Sequence, residues 1–173
     1  MFDKNLYAEA FKTNLTAGKI KPSQASFKIK QFLDKAENSL SIAQHVKDLK
    51  PTNDQPKRMH WDYWTITISY YSMLYAAKAA ILSKGYEVNG HDVAQIALGH
   101  LLVPNELEKK DLEILKQSHK IFEDEYVQFF GDAKTESYIA RYSSIKTYTE
   151  RQKEELFENA RLFIGKIAII LQD

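Results

Sequence analysis

Residues 62–85, DYWTITISYYSMLYAAKAAILSKG, constrain the fold more than any other stretch of the chain. Ile66, Tyr70, Met73, Leu74, Ala77 and Ile81 recur at steps of three and four, the period of one face of an α-helix. Asp62 stands where an N-cap would, and Gly85 is suited to the left-handed turn that ends a helix. Ala76, Ala77, Ala79 and Ala80 occupy more than one side of the same helix. Small side chains on two sides let neighbouring helices approach closely, so this segment predicts the central helix of a helical protein.

The rest of the chain supplies the neighbours. A first helical stretch over roughly residues 3–17 carries Leu6, Ala10 and Leu15 and stops at Gly18. Pro22 and Ser23 open a second, with Ile29, Phe32, Leu33, Ala36, Leu40 and Ala43 on one stripe. KDLKPTNDQPKRM, Lys47 to Met59, has two prolines and no period, which reads as a charged surface loop. GHDVAQIALGHLL predicts a short cross helix closed by Pro104. Asn105 with Glu108 has the spacing of a capping box, and Leu112, Leu115, His119, Phe122, Tyr126 and Phe129 continue helically to Gly131. Thr149 with Gln152 repeats that start signal before Leu156, Ala160, Phe163, Ile167 and Ile170. No segment alternates with a period of two. The expectation is an all-α protein: an up-and-down four-helix bundle over residues 26–173, a helical extension over residues 1–25, and a short cross helix.

Composition narrows the function classes. The absence of cysteine removes disulfides and thiolate metal sites and fits a reducing compartment. Asp3, Lys4, Glu9 and Lys12 interrupt the apolar positions of the N-terminus, so no signal-peptide core is read there. No apolar run approaches the roughly 18 residues of a membrane span. The expected compartment is the cytoplasm. Net charge is +1, from 24 basic and 23 acidic residues, which gives no general attraction to nucleic acid. The residues three before His45, His60, His91, His100 and His119 are Ile42, Lys57, Val88, Ala97 and Lys116, so the Glu-x-x-His pairs of a di-iron bundle are missing. Phosphate-loop, nucleophile-elbow and His-Glu-x-x-His patterns are missing too, and neither a metal nor a cofactor is called for.

Among the histidines, His119 lies within an apolar stripe and reads as a half-buried ring, while His91 follows Gly90 and reads as a helix-start residue. Tyr70 reads as core with its hydroxyl reaching a partner. Tyr71 and Tyr75, four apart, lie roughly 100° round the helix from its stripe; they complete a second packed face or contact another chain. RYSSIKTY, Arg141 to Tyr148, falls between the third long helix and the Thr149 start signal, and reads as a polar connection whose tyrosines close the bundle end.

SYYSMLYAAKAAILSKGYE followed by a Gly-His pair and a short helix resembles a HEPN-domain protein, and LFENARLFIGKI, with Ala160 and Phe163, resembles the last helix of that family. The resemblance covers about residues 26–171. It implies a four-helix bundle, commonly a homodimer, often encoded beside a small nucleotidyltransferase and in some members a metal-independent ribonuclease toxin. The toxin motif is an arginine, four to six residues, then a histidine. In one branch a tyrosine two positions later receives AMP from the partner enzyme. Arg141 matches the arginine, Lys146 stands where that branch has histidine, and Tyr148 falls on the modified tyrosine. Thr147 and Tyr148 fill the longer spacings, so the histidine is missing in every register.

That departure has a chemical consequence. Attack by the 2′-hydroxyl needs a base and cationic donors, and histidine serves near neutral pH because its pKa is about 6.5. A lysine starts near 10.4 and must fall by about three units to act as base. Arg141 and Lys146 therefore predict phosphate binding to a nucleotide or RNA rather than cleavage. No Gly-Ser dipeptide opens a nucleotidyltransferase site, so that activity belongs to a separate chain. The leading expectation is a non-catalytic homodimeric partner of such an enzyme. The alternatives are a ribonuclease in which Arg141 and Lys146 work with His91, and a structural bundle with no ligand.

Overall fold

The computed structural model describes residues 3–49, 61–132 and 138–172, and the side chains of 3–49, 61–124 and 151–172. Six helices and two short strands follow in the order α1 (Lys4–Thr16), β1 (Ile20–Pro22), α2 (Phe27–Asp48), α3 (Trp61–Ser83), β2 (Tyr86–Val88), α4 (His91–Leu101), α5 (Lys109–Asp132) and α6 (Tyr138–Ile170). The all-α expectation holds in its main feature. Four long helices make the body, and α3 packs against α2, α4, α5 and α6.

α3 is central because it has almost no polar side. Ile66, Met73, Ala76, Ala77, Ala79, Ala80 and Ile81 are each fully buried. From α2, Ala36 and Ala43 are likewise at 0% exposure, so small residues line both sides of the α2–α3 contact. α6 contributes Leu156, Ala160, Phe163 and Ile167, and α5 contributes Leu112 and Leu115. Ion pairs tie the helices at their edges: Lys153 of α6 to Asp62 of α3 at 2.9 Å, and Lys47 of α2 to Glu154 of α6 at 2.8 Å. Asp62, expected as the cap, is thus the second residue of α3, a first-turn position where its charge suits the helix dipole.

Three local readings change. Pro22 does not open α2: it ends β1, which pairs antiparallel with β2 in the register Ile20↔Val88, Lys21↔Glu87, Pro22↔Tyr86. Three-residue strands are too short to show a period of two, and a proline is tolerated at a strand's end. The α5 cap also moves. The backbone N–H of Glu108 donates to the Asp111 carboxylate at 2.7 Å, a return bond of capping-box type three residues past the Asn105 expected there. Asp111 is 5% exposed and receives Lys166 of α6 at 2.5 Å, so the cap doubles as a helix–helix tie.

The third change matters most for function. α6 runs unbroken from Tyr138 to Ile170, so RYSSIKTY is helical and does not connect two helices. The Thr-x-x-Gln spacing does not start a helix here, and Gln152 is buried at 6% exposure within one. Thr is tolerated inside helices because its hydroxyl can return to a carbonyl one turn back. Of the surface loop read at Lys47–Met59, residues 50–59 lie outside those described, as do residues 133–137 between α5 and α6.

The N-terminal segment joins the same core. Asp3 caps α1 by accepting the N–H groups of Asn5 and Leu6 at 2.9 and 3.2 Å. Gly18, at φ 68°, makes the turn into β1, whose Ile20 is 1% exposed. α1 lies across α4 at Gly99, where an added Cβ would stand 2.3 Å from the Tyr7 ring. The Gly99→Ala variant should therefore lose about 1–3 kcal/mol of stability in chemical denaturation, as overpacked sites do. On a Tyr7→Ala background the same substitution should cost little, which locates the strain in that one contact.

Candidate functional site

The densest group of polar aromatic side chains lies where α3, α4 and α5 meet. Tyr70 projects from the apolar stripe of α3 and is 1% exposed. Its ring is nearly parallel to three others: His91 at 5.3 Å and 18°, His119 at 5.3 Å and 16°, and Phe122 at 4.8 Å and 17°. His91 and His119 stack on each other at 5.1 Å. The sequence produces this because His91 opens α4 while His119 and Phe122 are three apart on α5, one face turned towards Tyr70.

Hydrogen bonds set the protons. The Tyr70 hydroxyl lies 2.6 Å from His91 Nδ1. Burial, with smaller contributions from Tyr71, Asp92 and Glu123, holds the phenol well above its ordinary pKa, so Tyr70 keeps its proton and donates. That assignment leaves His91 with its N–H on Nε2. The Gln95 amide nitrogen, a donor, is 3.1 Å from His119 Nδ1, which by the same reasoning puts the His119 proton on Nε2. Glu123 is 3.4 Å from that nitrogen and Asp92 is 3.6 Å from Nδ1. Burial, then the neighbouring His119 and Lys78, push the His91 pKa below its ordinary 6.5, against a weaker upward pull from Asp92 and Glu123. His91 is a neutral ring with one nitrogen occupied.

Tyr71 stands edge-on to this ladder, 5.8 Å from His91 at 79° and 5.6 Å from Phe122 at 81°, and is 6.4 Å from Tyr75. Both Tyr71 and Tyr75 are half-buried and pack against the core. Lys78 follows one turn later on the same face of α3 and is also half-buried. Burial and Lys35 of α2 push its pKa down.

Of the residues singled out from the sequence, the structure brings Tyr71, Tyr75 and His91 together. Arg141, Lys146 and Tyr148 fall within α6, but their side chains lie outside those described. The sequence reading did not assign Phe122, Gln95 or Lys78 to the site. The spacing of Tyr71, Tyr75 and Lys78 (i, i+4, i+7) was the available signal for the last of these. Among the described residues no group of three His, Asp or Glu side chains is placed to hold a metal ion, and no helix is long and apolar enough to cross a membrane. What the site offers is stacking surface, N–H donors and a cation.

Comparison with known proteins gives one result of substance: the family model described as the HEPN domain matches residues 29–170. Among curated proteins, none matches the chain significantly.

The site makes two expectations for solution behaviour. Replacing Tyr70 by Phe leaves His91 Nδ1 without its donor and should cost about 1 kcal/mol in denaturant unfolding. For His91 the folded pKa lies below the unfolded one, so the unfolded chain takes up the proton first as pH falls. Its contribution is present above about pH 6.5 and is lost as pH falls towards the folded pKa. The stability difference between the parent and His91→Gln should therefore shift in favour of the variant between pH 7.5 and 5.5, read from paired denaturant titrations. A difference independent of pH would place the ring in a water-like environment.

Proposed function

The chain belongs to the HEPN-domain family, and from that premise we propose that it is a non-catalytic HEPN subunit, a binding partner of a separate nucleotidyltransferase that holds a phosphate-bearing ligand. The observation that carries this reading is the residue set after Arg141: positions five, six and seven further on are Lys146, Thr147 and Tyr148, and none is histidine. A metal-independent ribonuclease needs a group that exchanges a proton near neutral pH, and neither arginine nor an ordinary lysine does so.

The helical course of this segment adds support. In an α-helix, positions seven apart lie roughly 20° from each other, and positions five apart roughly 140°. Arg141 and Tyr148 therefore share a face of α6, while Lys146 falls away from it. On this reading Arg141 supplies an anion-binding guanidinium, and Tyr148, two turns further along α6, is the hydroxyl offered to a nucleotidyl-transferring enzyme. His91, the substitute histidine of the ribonuclease alternative, has Nδ1 engaged by Tyr70 and its ring stacked between neighbours. That arrangement suits a structural donor more than a mobile base. Homodimer formation is part of the proposal on the family resemblance, with the Tyr71 and Tyr75 side as its contact from their place on α3.

The test is direct. The purified chain and its Arg141→Ala variant are incubated with total RNA and with tRNA in chelator. Both should leave the RNA intact. Cleavage by the parent and not by the variant would make the chain a ribonuclease and end the binding-subunit reading.

A further inference from the structure

Asn89 and Gly90 form the only Asn-Gly pair in the chain; each of the other six asparagines is followed by a residue with a side chain. The pair makes the whole connection between β2 and α4, and both residues are exposed. Asparagine is among the heat-labile residues, because the backbone nitrogen that follows it can attack its side-chain amide. A glycine in the following place leaves that nitrogen without a Cβ beside it. Gly90 holds φ 103°, a conformation open to glycine, and caps α4 without a side-chain bond. Its carbonyl accepts from the Ala94 N–H at 3.2 Å, whereas its own N–H has no acceptor among the described residues. The attacking nitrogen is neither shielded nor engaged.

We propose that Asn89 is a self-modifying position, which deamidates with water to aspartate or isoaspartate and so resets the start of α4. The Gly90 nitrogen forms a bond to Asn89 Cγ, the Cγ–Nδ2 bond breaks, and the amide leaves as ammonia carrying the Gly90 proton. Water then opens the cyclic imide. Hydrolysis at Cγ gives aspartate, and hydrolysis at the main-chain carbonyl gives isoaspartate. Both products place a negative charge just ahead of the N-terminus of α4, where the helix dipole favours it. The isoaspartyl product also lengthens the main chain by a methylene. The junction has no slack to absorb it: Val88 pairs with Ile20, the Asn89 N–H donates to the Lys19 carbonyl at 3.2 Å, and the Gly90 carbonyl holds Ala94. His91 comes next, its Nδ1 2.6 Å from the Tyr70 hydroxyl. An added backbone atom between β2 and α4 therefore pulls His91 away from Tyr70, while simple aspartate leaves that bond in place. The modification needs no partner and holds whichever ligand the chain binds.

The experiment ages the full chain at mildly alkaline pH beside its Asn89→Gln and Tyr70→Phe variants. Ion exchange separates the products, and mass spectrometry of the tryptic peptide spanning residues 85–109 locates the change. An acidic form should accumulate in the parent and not in Asn89→Gln, with the added mass at residue 89 and the other six asparagines intact over the same period. Asn89 left intact in the folded chain while it converts in denaturant would overturn the proposal, as would earlier conversion of another asparagine. The separated isoaspartyl form is then compared with the fresh parent and with Asn89→Asp in thermal melts, each with and without Tyr70→Phe, after circular dichroism has shown each to be folded. Tyr70→Phe should lower the melting point of the parent and of Asn89→Asp alike, and should leave that of the isoaspartyl form unmoved. A Tyr70→Phe effect undiminished in the isoaspartyl form would overturn the resetting of α4.

Discussion

The close approach of helices to α3 is the constraint on which the rest of the molecule depends. Ala36 and Ala43 of α2 meet a helix whose Ala76, Ala77, Ala79 and Ala80 are all excluded from solvent. Interiors pack at crystal-like density, so a larger side chain at any of these positions must push a whole helix. The same four alanines carry no side-chain entropy into the fold, and they favour the helix in isolation. Local preference and tertiary packing agree there, and that agreement makes α3 the reference for every other element.

From that reference the site follows. With α3 fixed by its small residues, Tyr70 must emerge where α4 and α5 close over it, and the only large polar group on the buried stripe finds His91 Nδ1. The stacked rings of His91, His119 and Phe122 fill the space above it with flat side chains that still carry N–H groups. Each imidazole has its proton position set by a neighbour: Tyr70 for His91 and Gln95 for His119. His91, held by Tyr70, stands beside half-buried Tyr71 and Tyr75. The site has no activated nucleophile among the described residues.

The family's ribonuclease chemistry and this chain's residues part at one position. The family's motif places there a histidine, whose ordinary pKa lets it exchange a proton near neutral pH; this chain has a lysine at that position. On the proposed reading, Arg141 and Tyr148 serve binding and the chemistry falls to another protein.

Much of the fold was legible because helical period survives in a single sequence. The stripe Ile66–Ile81, the stop at Gly85 with φ 84°, and the burial of Tyr70 all follow from spacing and backbone chemistry. The β1–β2 pair was not legible, since three residues are too few to display alternation, and the Thr149 signal misled because caps and mid-helix threonines share the same local pattern. The sequence by itself determined the main helices and their apolar faces, because those depend on neighbours three and four positions away. Only the tertiary structure decided that Tyr70, His91 and His119 share a stack, because that depends on side chains brought together from separate helices by the packing around α3.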